Sequence, residues 1–298
     1  MTHATRKRLA ARALLAAAVL SAIVSGAEAG QKHRLFVSNL DGSINIYSAN
    51  IHDTDVALLG TITAGATRPE GIWIDGDGTL YLVNGEGGTG APDIAEYKKG
   101  ASQPFRTISN GLYYPGFVAV GSDGTVYVNS VDGDSTGMVI EYAPGKTRPE
   151  RTITLPDPAY ALAPGGMAFD AGGNLLVATL GNVSTVHVYR IPFGTSDVTD
   201  LGLQSPGGAA LGVDGQGNLY VGGQLGYVAV YAPGATTSSR TVPLDFYCEG
   251  LTVAKNGTIY AVGEQSVVEF APGAVEPTNA FSTLNGETFT FDAALGPR

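Results

Sequence analysis

An all-β fold made of one repeated four-stranded unit is what this sequence predicts, on three observations. Gly supplies 42 of the 298 residues, about twice its usual share, so the chain turns tightly and often. Short apolar runs with period-two alternation lie between Gly- and Asp-rich turns, the pattern of strands joined as hairpins. One phrase also recurs: Glu70-Gly71-Ile72-Trp73-Ile74-Asp75, then Gly76-Asp77-Gly78 and Thr79-Leu80-Tyr81-Leu82-Val83, aligns with Gly165–Asp170, Ala171-Gly172-Gly173 and Asn174-Leu175-Leu176-Val177. The position of Asp75 returns at Gly121, Asp170, Asp214, Ala254 and Asp292, at intervals of 46, 49, 44, 40 and 38 residues. Six such units of four strands each make a six-bladed β-propeller.

The first 29 residues stand apart from the repeat. Arg6, Lys7, Arg8 and Arg12 precede an apolar run from Ala13 to Val24 and small residues ending Ala27-Glu28-Ala29, the order of a secretory signal. The sequence therefore predicts a signal peptide over 1–29, a propeller domain over 30–298, and a secreted or periplasmic location. The run is too short for a membrane span, and no later stretch approaches one. Cleavage leaves 13 Lys+Arg against 26 Asp+Glu, a net charge of −13. Such a surface repels nucleic acid and anionic lipid. Charged residues are only 15% and mean hydropathy is +0.09, which excludes a self-repelling disordered chain. Cys248 is the one cysteine, so no intrachain disulfide forms and a monomer must be held by packing.

Within each repeat the turns carry the hairpins. Asp75-Gly76-Asp77-Gly78, Ser122-Asp123-Gly124, Asp214–Asn218 and Lys255-Asn256-Gly257 place Gly or Asn where positive φ is needed, closing the first hairpin of a blade. Tyr142-Ala143-Pro144-Gly145, Tyr231-Ala232-Pro233-Gly234 and Phe270-Ala271-Pro272-Gly273 end third strands, with Pro and Gly turning the chain into the outer strand. At the N-terminus, Arg34–Asn39 and Ile44–Tyr47 align with second and third strands, so an innermost strand is missing. Glu287–Asp292 aligns with innermost strands after the last complete blade. The surplus strand is expected to fill the vacancy, with 288–291 pairing with 35–38 and no free edge left in the ring.

Pro69-Glu70-Gly71-Ile72, Gly215-Gln216-Gly217-Asn218-Leu219-Tyr220-Val221 and the aromatic third-strand ends resemble those of the NHL-repeat propellers and the related senescence-marker/gluconolactonase superfamily. The resemblance spans the chain after residue 29. It implies a ligand site on the top face, where innermost strands begin and the loops between second and third strands lie. It is compatible with lactonases, lyases, sugar binders and interaction modules.

Aligned strand starts give a ring of Glu287, Glu70, Gly116, Gly165, Ala209 and Glu249. The three glutamates fall in consecutive blades. Carboxylates converging on a narrow channel repel one another unless a cation binds or a pKa rises, and a hard divalent ion, calcium by preference, suits such oxygens. The resemblance implies a metal at Glu-Gly and Asp-Gly pairs, which Glu70-Gly71 and Glu249-Gly250 match and Glu287-Thr288 matches only in its acid. The opposed reading is a ring of solvated channel carboxylates. Second-strand ends give a second ring: Asn39, Asn84, Ser130, Thr179, Gly223 and Gly263. These side chains either face a ligand or cap strand ends. Tyr113, Tyr114, Tyr160, Phe246 and Tyr247 precede innermost strands and either stack on a sugar or lactone ring or wedge between blades. Gly85–Gly90 and Asp132–Ser135 are expected to wall the face.

No G-x-S-x-G and no H-E-x-x-H is present, so serine hydrolase and zinc protease chemistries have no support. Cys248 lacks a nearby His and reads as a small buried hydrophobe. The sequence therefore favours a binding or interaction module, with a divalent-metal-dependent hydrolase or lactonase as the alternative and a structural surface protein as a third class if the top face is occluded.

Overall fold

The computed structural model describes residues 33–49, 56–132, 136–156, 163–180, 186–204, 208, 210–263, 265–283 and 289–296. They form six four-stranded antiparallel sheets arranged as the blades of a propeller, with no helix among the described residues. The innermost strands, from blade 1 to blade 6, are Thr290–Gly296, Pro69–Ile74, Tyr114–Val120, Ala163–Phe169, Ala210–Val213 and Gly250–Val253. The second strands are His33–Asn39, Leu80–Asn84, Val126–Val131, Leu175–Leu180, Leu219–Gly222 and Ile259–Gly263. The third strand of each blade follows, and a short outer strand completes it. No helix among the described residues is long and apolar enough to cross a membrane.

Both faces of each blade are covered by its neighbours, which explains why middle strands read as unbroken apolar runs. Leu80–Asn84 is buried throughout. Its alternate side chains serve different cores: Leu80 and Leu82 pack with Ile44, Ile62 and Tyr97 toward blade 1, while Tyr81 and Val83 join Val118, Val126 and Tyr142 toward blade 3. Third-strand tyrosines bind one blade to the connection that enters it. The hydroxyls of Tyr47, Tyr97, Tyr142 and Tyr231 donate to the carbonyls of Thr283, Ala64, Asn110 and Gln204 at 2.6–2.8 Å.

The first hairpins are pinned as their composition predicts. Asp75 Oδ1 accepts from the amides of Asp77 and Thr79, Asp170 Oδ1 from Gly172 and Asn174, and Asp214 Oδ1 from Gln216 and Asn218. Gly78, Gly173 and Gly217 follow at positive φ. Burial alone would raise the carboxyls of Asp170 and Asp214, but these hydrogen bonds hold both below the usual range.

The C-terminal strand completes the N-terminal blade, as expected, but in a different register. Residues 288–291 do not pair with 35–38: Leu35 faces Leu295, Val37 faces Ala293, Ser38 faces Asp292 and Asn39 faces Thr290. The strand is shifted because Phe291-Asp292 imitates Phe169-Asp170 without a hairpin turn after it. Ala293-Ala294-Leu295-Gly296 continue the strand instead, and a Cβ at Gly296 would lie 2.7 Å from Ile74 and 2.9 Å from Phe36. Residues 1–29 lie outside the described residues.

Candidate functional site

The site begins with close approach of the innermost strands. A Cβ at Gly71 would lie 2.5 Å from the Phe117 Cα, and one at Gly250 would lie 2.5 Å from the Asp292 Cα. The Gly of each Glu-Gly pair is therefore required by packing. The glutamate before it stands at the mouth of the channel.

Glu70 is largely buried beside Arg68, whose Nε is 3.7 Å from its carboxylate. Burial pushes the carboxyl up to about 7, with Arg68 opposing the rise. Gly85 packs directly on this carboxyl, and Arg68 donates to the Glu86 carbonyl. Of the Gly85–Gly90 loop, Gly85 lies against Glu70 and Gly87 and Gly88 against Arg68, while 133–135 of the Asp132–Ser135 loop lie outside the described residues. Glu249 is exposed, and its amide donates to the Val262 carbonyl at 2.8 Å. Glu287 lies outside the described residues. Strand register gives its assigned place in the ring to Phe291, which occupies the bulge between Thr290 and Asp292 as Glu70 occupies that between Pro69 and Ile72.

The carboxylate that does enter the wall is Asp292. Its Oδ2 accepts from the Ile72 amide of blade 2 at 3.1 Å, and it also accepts from Leu251 of blade 6 and from its own neighbour Ala293. Burial pushes it up to about 7 against those three donors. The repeat aligns Asp292 with Asp75, Asp170 and Asp214. The signal that separates it was available: Asp75, Asp170 and Asp214 are followed by Gly-containing turns, and Asp292 by Ala293-Ala294-Leu295.

Asn39, Asn84, Ser130 and Thr179 do share one register, facing Thr290, Pro69, Pro115 and Pro164. All four are buried. Asn84 is committed to the loop entering its blade: Oδ1 accepts from Thr67 and Arg68, and Nδ2 donates to Gly65 and Asp93. Asn39 donates to the carbonyls of Val37 and Ser43 and to the Ser43 hydroxyl. Asn39 Oδ1, Ser130 Oγ and Thr179 Oγ1 have no hydrogen-bond partner among the described residues. At the Gly263 position, Phe246 fills the space that a side chain would take.

The aromatic residues divide as well. Tyr114 and Tyr247 are exposed, as are Tyr113, Leu225 and Phe289. These five stand at the starts of innermost strands or, for Leu225, between second and third strands, so blades 1, 3, 5 and 6 contribute to one face. Tyr113 and Tyr114 meet edge-to-face, with centroids 4.6 Å apart. The charge of Glu86, foremost, and then Tyr113 raise the Tyr114 phenol. Phe246 turns inward, and Tyr160 lies outside the described residues. Phe289 and Leu225 had no periodic signal; their exposure follows from the last-strand register and from a turn that places Leu225 at its tip.

Below this face the channel is apolar. A cavity of about 360 Å³ is lined by Ile72, Trp73, Phe117, Met167, Leu211 and Leu251 among others, with Asp292 in its wall. Phe117 and Phe291 lie 5.3 Å apart, and Trp73 and Phe169 meet edge-on at 5.8 Å. Among the described residues no three His, Cys, Asp or Glu side chains come together as a metal site, and the Asn84 oxygen is already used. The described residues therefore do not supply a complete ligand set. Cys248 is buried, and burial pushes its thiol up to about 12, which disfavours the reactive thiolate. His187 pairs with Asp200 at 2.7 Å on blade 4, away from the channel mouth.

No family model matches this chain, and no curated protein matches it. Solved structures do. A Bacteroides fragilis protein provisionally named a 6-phosphogluconolactonase is 11% identical with a TM-score of 0.64, over 89% of this chain and 98% of that one. A protein of unknown function from Bacteroides caccae is 13% identical with a TM-score of 0.64, over 90% and 100% of the two chains. Kuenenia stuttgartiensis hydrazine synthase is 16% identical with a TM-score of 0.56, over 83% and 82%. At these identities the likeness is one of fold.

Proposed function

We propose that this protein is an exported binding module, delivered by residues 1–29, that holds a sugar- or lactone-like ring on the top face of its propeller. The exposed set of Tyr113, Tyr114, Tyr247 and Phe289 around the channel mouth carries the reading. Flat aromatic faces pack on the C–H surface of such rings, and the phenols and Glu70 offer hydrogen bonds to their hydroxyls. Titrating the protein with a panel of aldoses and aldonolactones while following Tyr resonances tests it. Tyr114→Ala and Tyr247→Ala should each weaken binding about tenfold, an effect of about 1.4 kcal/mol. If no sugar or lactone perturbs either tyrosine, the small-ligand reading is wrong.

A second reading, a divalent-metal-dependent hydrolase or lactonase, is favoured by the place of Glu70: its carboxyl lies at the channel mouth, largely buried against Gly85 and pushed up to about 7 by that burial. It rests on Glu70 and Glu249 with Glu287 as a third acid, and on calcium as the ion. Elemental analysis with and without chelator separates the readings. On the metal reading calcium raises the melting temperature by mass action, and Glu70→Gln abolishes that rise. Unchanged melting with calcium and manganese would overturn it.

A further inference from the structure

The third-strand turns of blades 2 and 4 depart from the repeat; blade 4 reads Ile191-Pro192-Phe193-Gly194, and blade 2 departs with two lysines. Blades 3, 5 and 6 read Tyr142-Ala143-Pro144-Gly145, Tyr231-Ala232-Pro233-Gly234 and Phe270-Ala271-Pro272-Gly273, whereas blade 2 reads Tyr97-Lys98-Lys99-Gly100. The backbone is the same in all four. Ala101 N donates to Lys98 O at 2.8 Å, as Lys146 does to Ala143, Ala235 to Ala232 and Ala274 to Ala271 at 2.9–3.0 Å. The closing Gly has φ of 75–79° in each. Turn geometry therefore does not demand the lysines.

What changes is the space beside the turn. Pro144, Pro233 and Pro272 lie 3.5–3.9 Å from the Cβ positions of Gly124, Gly217 and Gly257 in their own first hairpins. In blade 2 Lys99 stands where that proline stands, and Lys99 and Gly78 instead line a cavity of about 450 Å³ between blades 1 and 2. Phe36, Ile46 and Ile74, all partly exposed, form its apolar wall. Arg34, Lys98 and Lys99 supply its charge, and no carboxylate is among its lining residues. Lys98 is poised at the rim, its Nζ 5.6 Å from the Phe105 ring centre. The chain carries a formal charge of −10, so three cations over an apolar cavity run against the character of the whole.

We propose that this cavity, on the face opposite the aromatic mouth, binds an amphipathic anion: a hydrocarbon chain seated on Phe36, Ile46 and Ile74 with a terminal carboxylate or sulfate held by Arg34, Lys98 and Lys99. The apolar wall selects against small inorganic anions, and the cationic rim selects against neutral or cationic amphiphiles. Alkyl carboxylates and alkyl sulfates share this chemistry.

Calorimetric titration of the full protein below micelle-forming concentrations tests the site, with decanoate and decyl sulfate as probes and decyltrimethylammonium, acetate and inorganic phosphate as comparators. One equivalent of decanoate or of decyl sulfate should bind, more weakly as salt rises, and none of the comparators should. Binding of only one decyl anion assigns the headgroup the site prefers. Lys98→Ala/Lys99→Pro gives blade 2 the turn sequence of blades 3, 5 and 6, so it should melt like the parent and lose about tenfold in affinity. Lys98→Gln/Lys99→Gln checks the charge without the proline, and Ser102→Trp, at a lining position, should block the cavity with the charges intact. Equal binding of decyltrimethylammonium or phosphate would overturn the proposal, as would undiminished decanoate binding in both the Lys98→Gln/Lys99→Gln and Ser102→Trp proteins.

Discussion

Where blade 3 meets blade 4, a neutral amide makes the bridge between innermost strands. Asn129 Oδ1 accepts from Phe117 N at 2.7 Å, and Asn129 Nδ2 donates to the Gly165 carbonyl. Where the two ends of the chain meet, Ser38 occupies the corresponding second-strand position and donates to the Glu70 carbonyl at 2.6 Å, the same register in the next blade as Gly165. Ser38 is too short to reach further. Asp292 supplies the rest: its amide donates to Ser38 Oγ at 3.1 Å, and its carboxyl receives Ile72 on one side and Leu251 on the other. One ring junction therefore depends on an amide that never titrates. The seam depends on a buried acid that does.

The largest effect should come from removing the seam altogether. Deleting 290–296 takes out an innermost strand, exposes the edge of His33–Asn39, and leaves the amides of Ile72 and Leu251 without their acceptor. Cooperative unfolding should be lost, or the melting temperature should fall by more than about 10 °C, since a strand of core exceeds any single side chain. A truncated protein that melts like the parent would show that the ring does not close through this strand.

Next come the two bridges themselves. Asp292→Ala and Asn129→Ala each leave buried backbone groups unpaired, a cost of about 1–3 kcal/mol per group. Asp292→Ala strands donors from two blades, so it should destabilise more than Asn129→Ala at pH 5, where the native carboxyl is protonated and carries no charge. Chemical denaturation of both proteins reads the difference.

The comparison sharpens with pH. Asp292 has a folded pKa of about 7 against an ordinary 3.8, so the folded protein holds a proton between about pH 4 and 7 that the unfolded chain has released. Stability is highest when both states are protonated-equivalent at low pH and is lost as pH rises through 7. The free energy of unfolding should fall from pH 5 to pH 8 by an amount on the order of 2 kcal/mol. Asp292→Asn removes the charge and should flatten that profile, whereas Asn129→Ala should shift it without changing its slope. A profile that stays steep in Asp292→Asn would place the titration elsewhere.

The contrast also explains what the sequence made legible. Six blades follow from turns, because Asp75, Asp170 and Asp214 with their glycines must pin hairpins wherever they occur, and the period is counted from them. Chain closure follows from a missing strand at one end and a surplus at the other. Register at the seam does not follow, because the last strand ends in no turn and Phe291-Asp292 copies a pattern whose purpose elsewhere is a turn. The shift brings Phe291 to the bulge position expected of Glu287 and Asp292 into the wall. Glu70 and Glu249 were legible because the Gly after each is forced by strand approach. The Asn39 and Asn84 positions were legible as a ring, but whether an amide faces a ligand or its own loop depends on the path of the loop, which Thr67 and Arg68 settle for Asn84 only in three dimensions. Lys98-Lys99 becomes informative only when the backbone of four turns is seen to be the same.

The smallest effect should belong to Glu70, and it tests whether the pH dependence resides at the seam. Its carboxyl is also pushed up to about 7 by burial, but its side chain retains 15% exposure and has Arg68 within 3.7 Å, so water and a cation relieve part of the charge that Asp292 must bear inside the wall. The bond from Ser38 reaches the Glu70 carbonyl and not its side chain; Glu70→Gln therefore leaves the junction intact. The substitution should raise stability at pH 8 by no more than about 1 kcal/mol and leave most of the pH 5 to pH 8 decline in place. At pH 5 it should be nearly neutral, since the native carboxyl there is already protonated. Should Glu70→Gln flatten the profile as completely as Asp292→Asn, the acid that governs the ring lies at the channel mouth, and the distinction between the seam and the junction of blades 3 and 4 is not one of charge.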